Sequence, residues 1–192
     1  MHVDYFLAII TLAYYGRLKL YQYIARKNLN FMIDLKSTYI QSPIGCIEIT
    51  ADQLGITSVK LGAEERIKSE SRLLAKAAKQ LDEYFEKKRK SFDLPLSLYG
   101  TNFQKEVWLE LVRIPFNKTI SYLQLAKQLG DEKSIRAAAN ANAKNPVAII
   151  VPCHRVIGTN GTLVGYAGEL WRKQWLLEHE RGVKSLKLEF EF

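Results

Sequence analysis

Two helix starts are written into the middle of this chain, and they restrict its fold more than any other feature. Thr101-x-x-Gln104 and Ser121-x-x-Gln124 both have the form in which a hydroxyl caps an early helical amide and the glutamine side chain reaches back. "FQKEVWLELVRIP" follows the first, with Phe103, Val107, Trp108, Leu111 and Val112 as its apolar stripe and Pro115 as its stop. "SYLQLAKQL" follows the second and ends at Gly130. A third short stretch, "KSIRAAANANAKN", comes soon after, so the last two read as a helix-turn-helix.

Upstream the period changes. "STYIQSPIGCIEITADQLGITSVKL", from Ser37, reads as three strands broken at Pro43-Ile44-Gly45 and at Asp52-Gln53-Leu54-Gly55, with Cys46 inside the second strand as a small buried hydrophobe. "SESRLLAKAAKQLDEYFEKKRK" then puts Leu73, Leu74, Ala77, Leu81, Tyr84 and Phe85 on one helical face. Its trailing Lys87-Lys88-Arg89-Lys90 sits where cations favour a helix C-terminus, so it reads as a solvated run. The expected class is α+β: a small N-terminal unit over residues 32–98, a mostly helical unit over 99–185 and a tail over 186–192. Residues 1–31 stay unassigned. Within them "YFLAIITLAYY" (5–15) has about half the length of a spanning helix, and no membrane contact is expected of it. A short packing helix, a weakly membrane-associated segment, or sequence upstream of a true start near Met32 are its three readings.

Charge and cysteine usage narrow the partners. A net charge of +8 favours a polyanion. No Asp or Glu stands between Glu132 and Glu169, whereas Lys133, Arg136, Lys144 and Arg155 do, which suits a surface facing phosphates. Cys46 and Cys153 show no C-x-x-C spacing, so a reduced, cytoplasmic setting is expected and a disulfide framework is not. Three histidines with two cysteines make a poor four-ligand zinc set. The alanines 137, 138, 139, 141 and 143 fit either a tightly packed helix or one that approaches a narrow surface. Arg136, Asn140 and Asn142 argue against full burial, and a slim helix bearing one arginine suits a DNA groove.

The chemistry concentrates in "NPVAIIVPCHRVIG" (145–158). "VAIIV" reads as a buried strand, and Pro152 ends it just before Cys153, His154 and Arg155. Two basic neighbours would lower the thiol's pKa. Adjacent residues of an extended strand face opposite ways, so Cys153 and His154 would need a bend or a water between them. Taken by itself, Asn145 before Pro146 is a turn former, and Tyr122 a core residue of its helix.

With "ISY" before it and "GYAGELWRKQWLLEHE" after it, this segment resembles the O6-alkylguanine-DNA alkyltransferases, also called methylated-DNA–protein-cysteine methyltransferases. The match runs over about residues 37–182. The resemblance implies a ribonuclease-H-like N-terminal domain followed by a winged-helix active-site domain. It implies irreversible, single-turnover transfer of an alkyl group from O6-alkylguanine in double-stranded DNA to Cys153. His154 would be the base acting through a water, Glu180 would polarise the imidazole, Asn145 would brace the turn, and the Tyr122 hydroxyl would donate toward the departing guanine. The main chain of Cys153, Val156 and Ala167 would read the base edge, and Tyr166 would wall the pocket. Arg136 would fill the gap left by the flipped nucleotide, with Lys133, Ala137 and Asn140 completing the DNA face. No metal or organic cofactor is implied, and a monomer is expected. Glu169 stands where many relatives have a second glycine. Three other readings stay open: a lesion-binding relative, which would carry tryptophan in place of the cysteine; a thiol hydrolase using Cys153 with His179; and a helix-turn-helix regulator.

Overall fold

The structure is a computed structural model and describes residues 34–182; the apolar run at 5–15, the alternative start at Met32 and the tail at 186–192 lie outside the described residues. Three antiparallel strands open it in the order β1 (Lys36–Ile40), β2 (Ile47–Ala51) and β3 (Ile56–Leu61). Both expected breaks are tight turns. Gly45 takes a positive φ of 96° and returns its N–H to the Ser42 carbonyl at 3.0 Å. Asp52 Oδ1 accepts from the amides of Leu54 and Gly55 at 2.7 and 2.8 Å. β2 buries Ile47, Ile49 and Ala51 on one face, and helix α1 (Arg72–Phe85) covers that sheet with Leu74, Ala77, Leu81 and Tyr84. Cys46 precedes β2 instead of lying within it and is only half-buried, because the turn at Gly45 still holds the chain there.

The second half is helical: α2 (Asn102–Val112), α3 (Tyr122–Gln128), α4 (Ile135–Ala143) and α5 (Leu170–Arg181). Both capping boxes close. Gln104 N donates to Thr101 Oγ1 at 3.2 Å and Thr101 N to Gln104 Oε1 at 2.9 Å; the Ser121–Gln124 pair repeats this at 3.1 and 2.7 Å. Val107, Trp108 and Leu111 carry the buried stripe of α2, but Val112, its last residue, is exposed where the chain turns toward Pro115. The alanines of α4 divide. Ala138 and Ala141 are buried, close enough to α2 for Trp108 Nε1 to donate to the Ala141 carbonyl at 2.9 Å, while Ala137 and Ala143 are exposed. Asn142, expected near the surface, is buried as well.

Two short pairings tie the cysteine segment to the rest of the fold. β4 (Ile120–Ser121) runs parallel to β5 (Val156–Ile157), which joins the start of α3 to the stretch after Cys153. Val59 of β3 bridges to Val147: its N–H donates to the Pro146 carbonyl at 2.9 Å, and its carbonyl accepts from Ala148 N at 3.2 Å.

The segment 147–151 is not the strand its apolar run suggests. It is a series of turns, with Ile149 at φ 70°, a region a β-branched residue seldom enters. Its hydrophobicity reflects burial on all sides: Val147, Ile149, Ile150 and Val151 all belong to the core. Among the described residues no helix is long and apolar enough to cross a membrane.

Candidate active site

The turn that carries Cys153 is held from both ends. Asn145 Nδ2 donates to the Val151 carbonyl at 2.7 Å, and Val147 N donates to Asn145 Oδ1 at 3.0 Å, so one side chain ties the turn across its width. Cys153–Arg155 forms a 3-10 turn, which removes the extended geometry expected of Cys153 and His154. Cys153 is only 5% exposed and borders a cavity of about 320 Å³ together with Asn142, Asn145, Tyr166, Ala167 and Gly168; β3 closes the other wall.

Behind the cysteine lies a buried polar hub. Glu180 Oε1 accepts from His154 Nε2 at 2.9 Å, from Arg155 Nη2 at 2.9 Å and from the Tyr84 hydroxyl at 3.0 Å. Glu180 Oε2 accepts from Arg155 Nε at 3.0 Å and from Asn117 N at 2.9 Å. Burial would raise this carboxyl's pKa, but the hydrogen bonds from His154 and Arg155 and their charges hold it far below the usual carboxylate range. An ionised carboxylate can only accept, so the proton of a neutral His154 resides on Nε2. That leaves Nδ1, which is buried and has no partner, as the basic nitrogen. Burial pushes the imidazole pKa down, against the pull of Glu180, so the ring is neutral near pH 7.

The thiol itself is not acidic at rest. Burial raises the Cys153 pKa, and a hydrogen bond from Asn145 and the charge of Lys173 oppose this only in part. Arg155, expected to help lower it, is turned away: its side chain serves Glu180 and donates from Nη1 to the Ile114 carbonyl at 2.6 Å. The cation beside the thiol is instead Lys173. It is fully buried, its Nζ donates to the Val164 carbonyl at 3.1 Å, and desolvation pushes its pKa down to about 8.

Tyr122 opens α3 directly after the Ser121 cap, and the β4–β5 pairing brings it to the cysteine turn. Its hydroxyl donates to the Val164 carbonyl at 3.2 Å; burial and nearby Cys153 raise its pKa, while a hydrogen bond from Asn142 eases it. The Tyr166 hydroxyl is buried without a partner, and burial and Cys153 push its pKa well up. Val156 is fully buried at the head of β5 and does not line the cavity. Arg136, Ala137, Asn140 and Lys133 are exposed on and just before α4. Glu169 takes φ 69°, which explains why glycine suits the position; its carboxylate is held by Trp171 Nε1 at 2.6 Å and by Arg172 at 3.3 Å. His179 stacks on Trp175 at 4.8 Å and bonds the Tyr84 carbonyl at 2.9 Å, so it does not serve the thiol.

Sequence reasoning missed Tyr84, Asn117, Asn142 and Lys173. Tyr84 reads only as helix core, and nothing around Asn117 marks it. Lys173 carried a faint signal, since it falls at the buried spacing of α5 beside Leu176 and Leu177.

Known proteins bear on this site. Residues 102–182 match the family model described as the 6-O-methylguanine DNA methyltransferase DNA binding domain, and residues 35–98 match the ribonuclease-like domain of the same family. A methylated-DNA–protein-cysteine methyltransferase of Methanosarcina acetivorans is 43% identical over 147 residues, covering 73% of this chain and 94% of that protein. The constitutive enzyme of that name from Bacillus subtilis is 41% identical over 155 residues, covering 75% and 94%. The crystal structure of Mycobacterium tuberculosis O6-methylguanine methyltransferase superposes with a TM-score of 0.71 at 37% identity, over 80% of this chain and 97% of that one. M. tuberculosis OGT solved in complex with DNA gives 0.70 at 38% identity, over 77% and 94%.

Proposed function

Since this chain belongs to the 6-O-methylguanine DNA methyltransferase family and repairs DNA by moving an alkyl group from the damaged base to a cysteine of its own, we propose that Cys153 is the acceptor and His154 its base. The observation that carries this reading is a buried thiol on a cavity, next to a neutral imidazole whose basic nitrogen is left free by a carboxylate on its other side.

The chemistry then runs as a displacement at saturated carbon. His154 Nδ1 takes the thiol proton through one water, and Glu180 stabilises the imidazolium that forms. The sulfur lone pair forms the S–C bond while the C–O6 bond breaks and its electron pair stays on the purine. The Tyr122 hydroxyl turns its single proton from the Val164 carbonyl to the purine as this charge builds up. The proton lost by the thiol balances the one gained by the base, so guanine is restored and the step is redox-neutral. Asn145 keeps the turn, and with it the sulfur, in place. Tyr166 walls the pocket, and the main chain of Cys153 and Ala167, both on the cavity, reads the base edge. A thioether is a poor leaving group, so each molecule acts once.

Reaching the base requires flipping it out of the duplex. The exposed face of α4 suits the minor groove, with Arg136 filling the gap and Lys133, Ala137 and Asn140 against the backbone. We further infer a monomer in the cytoplasm, where the free thiols of Cys46 and Cys153 stay reduced. Intact-protein mass spectrometry tests the assignment. Incubation with a duplex containing O6-methylguanine adds a single methyl group, roughly 14 Da, located on Cys153, and Cys153→Ala gains none. Repair that leaves Cys153 unmodified would overturn it.

A further inference from the structure

Asn142 is the one polar side chain on the buried face of α4, and it is 1% exposed. Its Nδ2 points to the Cys153 carbonyl at 3.4 Å. That carbonyl can only accept, so the opposite amide orientation would set two acceptors against each other and the observed one is fixed. The fixed orientation leaves Oδ1 as the free end. It is buried and has no hydrogen-bond partner among the described residues, in a residue that borders the cavity with Cys153. A buried, unsatisfied amide oxygen is costly and rare, and at a binding cavity it calls for a donor on the ligand.

The substrate has one. O6-alkylation leaves N1 of guanine without a proton, so the 2-amino group is the only N–H donor on the flipped base. Accordingly we propose that Asn142 is a specificity-determining residue whose Oδ1 accepts a hydrogen bond from the 2-amino group of the flipped O6-alkylguanine. This rests on Cys153 being the acceptor of the alkyl group. Asn142 supplies an acceptor that a substitution can remove. The placement also disfavours O4-alkylthymine, which has no amino group to donate.

Single-turnover alkylation of Cys153 is measured with two duplexes, one carrying O6-methylguanine and one carrying O6-methylhypoxanthine, the same base without its 2-amino group. Wild-type protein should react more slowly with the second. Asn142→Leu removes its bonds to the Cys153 carbonyl and the Tyr122 hydroxyl and so slows both duplexes. It should slow the first by a further factor of about fivefold to tenfold, the range of one neutral hydrogen bond, so that the preference shrinks by that factor. Asn142→Ala gives the same comparison should the leucine disturb packing. If either variant slows both duplexes equally, Asn142 only supports the Cys153 carbonyl and the proposal is overturned. A wild type indifferent to the 2-amino group overturns it too. Failure of Cys153 to gain a methyl group from either duplex would instead strike the underlying assignment.

Discussion

Replacing Glu180 by glutamine tests the buried hub most directly. Every neighbour of that carboxylate donates: Tyr84 Oη, His154 Nε2, Arg155 Nε and Nη2, and Asn117 N. A glutamine keeps one acceptor oxygen but brings two N–H groups into a shell where only the Tyr84 hydroxyl or a reversed His154 tautomer could receive them. It also leaves the Arg155 guanidinium buried without a counter-charge. Breaking a buried ion pair from one side costs about 3–5 kcal/mol, a large share of a typical domain's total stability. Urea unfolding should therefore show a loss in that range. The rate of thiol alkylation should fall by about 10²-fold or more, because the imidazole loses the partner that fixes its tautomer and stabilises its protonated form. Adding Arg155→Met to the variant should restore part of the stability, since the stranded cation is gone, but not the rate. A loss under about 1 kcal/mol, or effects of the two substitutions that simply add, would refute the picture of an unscreened, interdependent cluster.

Stability should also follow pH through the buried histidines. His154 and His179 both have pKa values lowered by burial, so the unfolded chain binds protons that the folded one refuses; the stability that depends on these two residues is full above about 6.5 and declines as pH falls below it. The depressed Glu180 pKa adds a second loss only in stronger acid, below the ordinary carboxylate value, and a thermal-melt series showing no decline below neutrality would contradict both signs. Arg136→Ala should leave the melting temperature unchanged, because the residue is exposed, yet slow repair of a duplex lesion far more than of the same lesion in single-stranded DNA, where no nucleotide must be extruded. Equal slowing of the two would remove Arg136 from that role.

The features legible in the amino-acid order obey local rules. The capping boxes at Thr101 and Ser121, the turns at Gly45 and Asp52, and the face of α1 are set by neighbours in sequence, and all of them form. The segment 147–151 misleads because an apolar run records burial without recording shape, and its shape is imposed by Asn145 and β3. Arg155 shows the same limit: adjacency to Cys153 suggests a partner, but the side chain reaches Glu180, across 25 positions of sequence. Asn142 reads as a surface residue because asparagine usually is exposed; its burial depends on Ala138 and Ala141 letting α4 sit close to α2.

The pairing of Val59 with Pro146 and Ala148 gives the N-terminal sheet an influence far beyond its size. The loop that leads to the proposed acceptor sulfur is tied to a hairpin with a register irregularity at Thr50/Ala51. A single-residue insertion between that irregularity and Val59 would shift the register by one, so that the Val59 N–H and carbonyl would face β2 instead of the loop. Drift in β2 and β3 is thus constrained by a reaction to which neither strand contributes an atom.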